Sequence, residues 1–287
     1  MVTLTRPEGT LAEDLHISRR SLTALLAAGY AAAAVSASAE PISTGTKGLT
    51  IESVTMAGGL PGFVARPSAP GRHPAVIVVN EVFGLHEYIR DICRRFAQAG
   101  YVAIAPEFFF RADPQRTLPT LTDFPAILKI VGTAGNEQVM GDVKATLDWL
   151  AAQTFVAPKR LAITGFCWGG TVVWTAAQRF PQLGAGVAWY GRLKGQPGGE
   201  ARRYPLDFAA ELKAPVLGLY GALDKGIPVA DVEAMQAALK AAGSKSRIKL
   251  YPASDHGFHA DYRASYNPAD AADGWALLMA HFKANGV

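Results

Sequence analysis

Short runs of apolar residues alternate with stretches of helical periodicity along most of the chain. Such runs are typical of strands buried on both faces, as in a parallel sheet. They predict strands at residues 75–79, 101–105, 161–164, 187–190, 216–220 and 248–251. Apolar residues at helical spacing predict helices at residues 89–99, 143–152, 171–179, 229–242 and 269–285. This alternation predicts an α/β fold with a mostly parallel central sheet and helices on both faces.

Two regions depart from this alternation. Residues 48–67 hold two β-prone segments around a Gly-Gly pair, which predicts an N-terminal β-hairpin. Residues 108–138 lack clear periodicity, so we expect a long irregular segment that covers the functional site. Because no repeat and no linker-like composition divides residues 40–287, we expect them to form a single domain.

The N-terminal 39 residues have the pattern of an export signal. The pair Arg19-Arg20 precedes an uncharged, Ala-rich stretch at 23–39, and this arrangement resembles a twin-arginine signal peptide cleaved after Ala39. The alternative is an N-terminal helix that belongs to the fold. Use of the signal would make the protein periplasmic or secreted, and otherwise it would be cytoplasmic. The stretch is too short and too weakly apolar to predict a membrane span. Once it is removed with the signal, we expect no stable membrane insertion.

Composition narrows the function classes. Of 287 residues, 49% are hydrophobic and 18% charged, which suits a globular protein with a substantial core. The net charge of +4 is scattered rather than clustered, which argues against nucleic-acid binding. Cys93 and Cys167 are too few for a disulfide framework or a metal–thiolate site. One bridge between them remains an alternative in an oxidising compartment. We expect no metal and no organic cofactor.

The most informative segment is Gly-Phe-Cys-Trp-Gly-Gly at residues 165–170, between a predicted strand and a predicted helix. A nucleophile flanked by small residues in such a turn is typical of a nucleophile elbow, with Cys167 where Ser is usual. The turn would also bring the backbone N–H of Trp168 to the reacting carbonyl as one donor of an oxyanion hole. The alternative is a buried structural cysteine in a glycine-rich turn.

A candidate acid and a candidate base follow two later strands. Side chains that carry chemistry gather at the carboxyl ends of the strands in such sheets. Asp224 and His256 follow the last two predicted strands, which gives the nucleophile–acid–histidine order of the α/β-hydrolases. His256 would accept the thiol proton, and Asp224 would orient the imidazole. Alternatively, Asp224 is only a turn residue, and Asp255 or His259 competes with His256.

Glu81 follows the predicted strand at 75–79 almost directly, where a carboxylate without a partner would be costly to bury. In the hydrolase layout this loop supplies the second oxyanion N–H, here that of Val82. Glu81 would then lie near Cys167 and bind or tune its thiol. The alternative is a salt bridge to Arg90 or another basic residue.

Together these motifs resemble the dienelactone hydrolase family, the carboxymethylenebutenolidases. The matching segments are residues 80–84 with Arg90, 101–107, 165–170, 221–224 with Pro228, 251–252 and 256–258. The resemblance implies the α/β-hydrolase fold and a triad of Cys167, Asp224 and His256. It also implies that Glu81 holds the thiol unreactive until substrate displaces it. The implied substrates are small enol-lactones and esters, often bearing a carboxylate.

The chain departs from the family pattern at the residue that binds the substrate carboxylate. Archetypal members carry an Arg shortly after the catalytic His, whereas Arg263 lies further along here and His259 is a candidate substitute. Arg111 and Arg90 are further candidate anion binders. We expect a monomer or small homo-oligomer that cleaves a small ester or enol-lactone through an acyl-thioester. The alternatives are a broader carboxylesterase and a catalytically idle hydrolase fold used for binding.

Overall fold

A single twisted sheet organises the chain, in a computed structural model that describes residues 41–195 and 202–287. The proposed signal peptide lies outside these residues. The strands are β1 (Leu49–Thr55), β2 (Pro61–Pro67), β3 (His73–Val79), β4 (Val102–Pro106), β5 (Val156–Phe166), β6 (Ala185–Trp189), β7 (Val216–Gly221) and β8 (Arg247–Tyr251). Their order across the sheet is β1-β2-β4-β3-β5-β6-β7-β8.

Helices cover both faces of this sheet. They are α1 (Glu87–Gln98), α2 (Phe124–Val131), α3 (Asn136–Ala151), α4 (Trp168–Arg179), α5 (Val229–Ala241) and α6 (Pro268–Ala284). Helices α1 and α6 share one face, where the rings of Phe96 and Phe282 lie 6.2 Å apart. Helices α3 and α4 contact each other on the opposite face. Among the described residues, no helix combines the length and apolar character needed to cross a membrane.

The strand directions confirm the predicted mostly parallel sheet. Strands β1 and β2 form the predicted hairpin, and β2 also runs antiparallel to β4. All the remaining neighbours, from β4 through β3 to β8, are parallel. The carboxyl ends of β3, β5, β6, β7 and β8 therefore meet at one edge, where the loops that follow them can assemble a site.

The segment at 108–138 is more regular than predicted. Helix α2 lies within it and buries Phe124, Ile127 and Val131. Pro125 stands in its first turn, a position that suits proline because the N–H there needs no acceptor. Helix α3 begins at Asn136 rather than at residue 143. Its Gly141 contributes no side chain to the periodic pattern, so the pattern does not predict the first half of the helix.

Strand β5 also begins earlier than predicted. It starts at Val156, but its residues Pro158, Lys159 and Arg160 are exposed. Lys159 has a positive φ of 65°, and the pairing with β3 shifts register between His73 and Ala75. Such an irregularity interrupts the apolar pattern, so only the buried half of the strand, from residue 161, is evident in the sequence.

The passage from β5 into α4 is built from glycines that sit against backbone atoms. A Cβ on Gly169 would lie 2.6 Å from the carbonyl oxygen of Val79, and one on Gly170 would lie 2.5 Å from that of Trp189. Both distances are far below van der Waals contact. Helix α4 can therefore begin directly against the ends of β3 and β6 only because these positions lack side chains.

We predict opposite effects for two alanine substitutions. Gly170→Ala should destabilise the protein by about 1–3 kcal/mol or more, because the new methyl group would overlap backbone that cannot move aside. The matched control Gly141→Ala lies in α3, where nothing is within 4 Å of the added Cβ. There, alanine should stabilise by about 0.5–1 kcal/mol. Urea unfolding measures both changes, and equal effects at the two sites would contradict this packing.

Candidate active site

Four of the residues singled out in the sequence lie at the same edge of the sheet. Glu81 follows β3, Cys167 follows β5, Asp224 follows β7 and His256 follows β8. All four side chains are buried. Parallel strands thus bring together residues that are distant in the chain.

Cys167 occupies the sharp turn itself. It precedes the first residue of α4 and has φ 55° and ψ −116°, a conformation that L residues rarely adopt. Its N–H donates to the carbonyl oxygen of Trp189 on β6 at 3.0 Å, which holds the turn in place. The N-terminal end of α4 favours negative charge at this position. These features are those of a nucleophile elbow.

Asp224 and His256 are joined by a short hydrogen bond. The imidazole Nδ1 lies 2.6 Å from Oδ2 of Asp224. Asp224 Oδ1 accepts the N–H groups of Gly226 and Ile227, at 2.8 Å and 3.2 Å. Asp224 is therefore both a turn residue and the partner of the histidine, so the two interpretations of this residue are compatible.

Glu81 is fully buried in a network of polar side chains. Arg263 Nη2 donates to its Oε1 at 2.8 Å, and the hydroxyl of Tyr262 donates to Oε2 at 2.5 Å. His86 Nε2 lies 3.5 Å from the same Oε2. Burial alone would raise the pKa of Glu81, but Arg263, His86 and Tyr262 together lower it from 4.5 to about 2. Glu81 is therefore a carboxylate at neutral pH.

The salt bridge of Glu81 is thus formed by Arg263 and not by Arg90. Arg263 is 2% exposed and lies on the same loop as His256, so the loop brings the guanidinium to the site from a distant position. Arg90 instead places its guanidinium 5.0 Å from the centre of the Phe63 ring. With both oxygens of Glu81 engaged, any movement of this carboxylate toward the thiol would have to break these bonds.

The two backbone groups predicted to form an oxyanion hole have no acceptor among the described residues. Trp168 is the first residue of α4, so its N–H lacks an acceptor within the helix. Val82 lies in the loop after β3. The rings of Phe108 and Phe109 pack against Trp168 at 5.7 and 4.8 Å, so the start of the segment at 108–138 covers the elbow.

His259 does not have the environment of an anion-binding residue. Its Nδ1 is hydrogen-bonded to the hydroxyl of Tyr88 at 2.6 Å, and its ring centre lies 4.3 Å from that of Trp189. Burial, with the nearby charge of Arg95, lowers the pKa of His259 from 6.5 to about 3. The imidazole is therefore neutral and enclosed by aromatic rings, and it carries no positive charge with which to bind a substrate carboxylate.

Arg111 is engaged elsewhere as well. Its two terminal nitrogens each donate to a carboxylate oxygen of Asp142 on α3, both at 2.8 Å. Its guanidinium also lies 4.3 Å from the centre of the Phe110 ring. Arg111 therefore connects the loop after β4 to α3, and the structure gives it a structural partner rather than a free charge for substrate.

Both cysteines are free thiols and both are buried. Cys93 lies on α1, and burial raises its pKa far above the usual range. No group of three or more potential metal-ligating side chains occurs in the described parts of the chain.

Three side chains of the site were not identified from the sequence: His86, Tyr190 and Tyr262. Tyr190 could have been found with the rule that identified the others, because it directly follows β6 at the same edge of the sheet. Tyr262 and His86 are recognisable only from the way the loops after β8 and β3 meet.

The strand order, the elbow after β5 and the Asp224–His256 pair define an α/β-hydrolase. The profile of the dienelactone hydrolase family matches residues 60–286, and the chain belongs to this family. It is therefore a hydrolase of the dienelactone hydrolase type.

Several relatives carry corresponding names. A "Putative carboxymethylenebutenolidase" of Methylorubrum extorquens is 43% identical over 284 residues, which cover 97% of both chains. One of Escherichia coli K12 is 46% identical over 230 residues, 79% of this chain and 83% of the relative. The crystal structure of a "Putative Dienelactone Hydrolase" from Klebsiella pneumoniae, 46% identical, superposes with a TM-score of 0.76 and covers 82% of this chain and 98% of that one.

We predict that Glu81 makes stability depend on pH in the acid range. Its pKa is lowered from 4.5 to about 2 on folding, so its contribution is complete above pH 4.5 and is lost as pH falls toward 2. The loss attributable to this group should be of the order of 3 kcal/mol. Urea unfolding of the wild type and of Glu81→Gln between pH 3 and pH 6 should show about 2 kcal/mol of this loss, because the variant lacks this part of the pH dependence.

The matched control removes both charges. At neutral pH, Glu81→Gln should cost about 3–5 kcal/mol, because it leaves the buried Arg263 without its counter-charge. The double variant Glu81→Gln/Arg263→Met should be less destabilised than the sum of the single changes. Strict additivity, or an unchanged pH slope in Glu81→Gln, would contradict the ion pair.

Proposed function

We propose that this hydrolase cleaves a small ester or enol-lactone with Cys167 as nucleophile, His256 as general base and acid, and Asp224 as the residue that orients the histidine. The observation that carries the proposal is the 2.6 Å bond between His256 and Asp224 at the sheet edge where Cys167 occupies a strained elbow. The family membership supports the substrate class, since the related proteins are named for a butenolide or dienelactone substrate.

Acylation follows from these roles. His256 takes the proton of the Cys167 thiol, and the sulfur forms a bond to the carbonyl carbon of the substrate. The carbonyl oxygen gains negative charge, which the N–H groups of Val82 and Trp168 would stabilise. The bond from carbon to the leaving oxygen then breaks, and His256 returns the proton to that oxygen. An acyl-thioester on Cys167 remains.

Deacylation repeats these roles, with water as the nucleophile and the sulfur of Cys167 as the leaving group. His256 takes a proton from a water molecule, whose oxygen forms a bond to the thioester carbon. The bond from carbon to sulfur then breaks, the acid is released, and the proton returns to Cys167. Throughout, Asp224 would keep the proton-bearing Nδ1 of His256 in place and stabilise the imidazolium.

In this proposal Glu81 positions the groups around the nucleophile. Its carboxylate fixes Arg263 and Tyr262, which a neutral side chain would not hold in the same way. The role implied by the family resemblance, in which substrate displaces the Glu from the thiol, would require these two bonds and the contact with His86 to rearrange. A carboxylate-bearing substrate could drive that change by competing for Arg263.

We predict that Cys167→Ala abolishes hydrolysis of p-nitrophenyl acetate and of an enol-lactone panel without unfolding the protein. Cys93→Ala is the matched control, because Cys93 is the other buried free thiol but lies on α1. It should retain turnover and lose only stability. Iodoacetamide should inactivate the wild type with the label on Cys167.

Comparable activity in Cys167→Ala and the wild type would reject the mechanism. Inactivity of the wild type on every ester and lactone tested would instead favour an idle fold used for binding. The alternative of a Cys93–Cys167 bridge gains no support, since both thiols are free.

We also propose that residues 1–39 export the protein through the twin-arginine pathway, on the basis of the Arg19-Arg20 pair and the uncharged stretch that follows it. Expressed in a bacterium with this pathway, the chain should appear in the periplasm as a product that begins at Glu40. Replacement of both arginines by lysine should retain the full-length chain in the cytoplasm, whereas the control Arg6→Lys should not. Cytoplasmic, uncleaved wild-type protein would contradict export.

A further inference from the structure

Tyr190 has a strained backbone beside the nucleophile. It directly follows β6 and has a φ of 38°, which is unusual for any residue with a side chain. Its N–H donates to the carbonyl oxygen of Leu219 on β7 at 2.8 Å, and the preceding Trp189 accepts the N–H of Cys167. Tyr190 is thus fixed to the elbow on one side and to the next strand on the other, which maintains the strain.

The ring of Tyr190 is completely buried among aromatic side chains. It meets the His256 ring edge-on, with centroids 5.1 Å apart, and lies 5.5 Å from Phe258 and 6.3 Å from Phe166. These contacts hold the phenol beside the imidazole of the proposed base, so its orientation does not depend on the hydroxyl.

The hydroxyl of Tyr190 is buried and has no hydrogen-bond partner among the described residues. Neighbouring tyrosines that are buried or half-buried differ in this respect. The hydroxyl of Tyr88 is bonded to His259, that of Tyr262 to Glu81, and that of Tyr220 to Trp174. A buried polar group without a partner is costly, so it is expected where a ligand supplies the missing bond.

Charges around Tyr190 indicate which ligand group it would meet. Burial, together with Glu81, raises its pKa well above 10, and the hydroxyl therefore remains a donor. Tyr190 is next to Trp189, whose carbonyl oxygen accepts the N–H of Cys167, and it lies within electrostatic range of Cys167 and Arg263. A neutral donor in this position suits an oxygen that becomes negative during reaction at the thiol.

We propose that Tyr190 is a further catalytic residue, whose hydroxyl donates a hydrogen bond to an oxygen of the reacting ester or lactone at Cys167. This inference rests on the proposed function. Tyr190 would act beside the backbone donors of Val82 and Trp168. It would donate a hydrogen bond to the substrate oxygen, whereas Arg263 and Glu81 are already paired with each other.

The test is Tyr190→Phe, which keeps the ring and removes only the hydroxyl. With p-nitrophenyl acetate and an enol-lactone, kcat/KM should fall roughly 10- to 100-fold, mainly in kcat, because the bond forms to developing charge. The urea midpoint should stay the same or rise, since no bond within the protein is lost. The matched control is Tyr101→Phe, whose buried hydroxyl donates to the carbonyl oxygen of Val287 at 3.3 Å. That variant should lose stability and keep wild-type kinetics.

Full activity in Tyr190→Phe, with the wild type active, would overturn this proposal and leave the proposed function intact. A variant that loses activity only in proportion to a lowered urea midpoint would also overturn it, because the hydroxyl would then be structural. An inactive wild type would overturn the proposed function itself, and with it the role of Tyr190.

Discussion

The close approach of α4 to the ends of β3 and β6 is the constraint on which the site depends. Gly169 and Gly170 allow backbone to contact backbone there, and the chain must turn sharply between β5 and α4 as a result. Cys167 occupies that turn in a conformation that its own side chain disfavours. The same turn fixes the N–H of Trp168 and exposes the positive end of the helix to the thiol. This packing thus determines where the proposed nucleophile lies and what surrounds it.

Around this turn, the loops after β3 and β8 meet in a buried network of charge. Arg263 and Glu81 neutralise each other. Arg95 donates both to Asp91 of α1 and to Asp261, which lies on the same loop as Arg263, and so connects this loop to α1. Asp91 also accepts the N–H of Thr44, at the start of the described chain, at 2.6 Å. Burying so many charges is costly unless each is paired, so the positions of the Glu81 carboxylate, the loop that carries His256 and Arg263, and the segment at Thr44 depend on one another.

The sequence revealed the residues whose positions follow from strand order. Each apolar run ends where parallel strands expose their carboxyl ends, so the amino-acid pattern alone suffices to place Cys167, Asp224 and His256 together. Prediction from apolar periodicity fails where the backbone geometry is irregular. The bulge near Lys159 and the glycine in α3 hide parts of two elements, and helix α2 lies in a segment without clear periodicity. The pairing of Arg263 with Glu81 depends on how the loops after β8 and β3 meet. The spacing of residues along the chain does not predict such a contact.

The proposed mechanism requires an acyl group to pass through the sulfur of Cys167. The most direct measurement is acid quenching during turnover of a slowly hydrolysed ester, followed by intact-protein and peptide mass spectrometry. We expect a mass increase equal to the acyl group, located on Cys167 and removed by hydroxylamine, as is typical of a thioester. Continued turnover with no adduct, or with the acyl group on another residue, would contradict this mechanism.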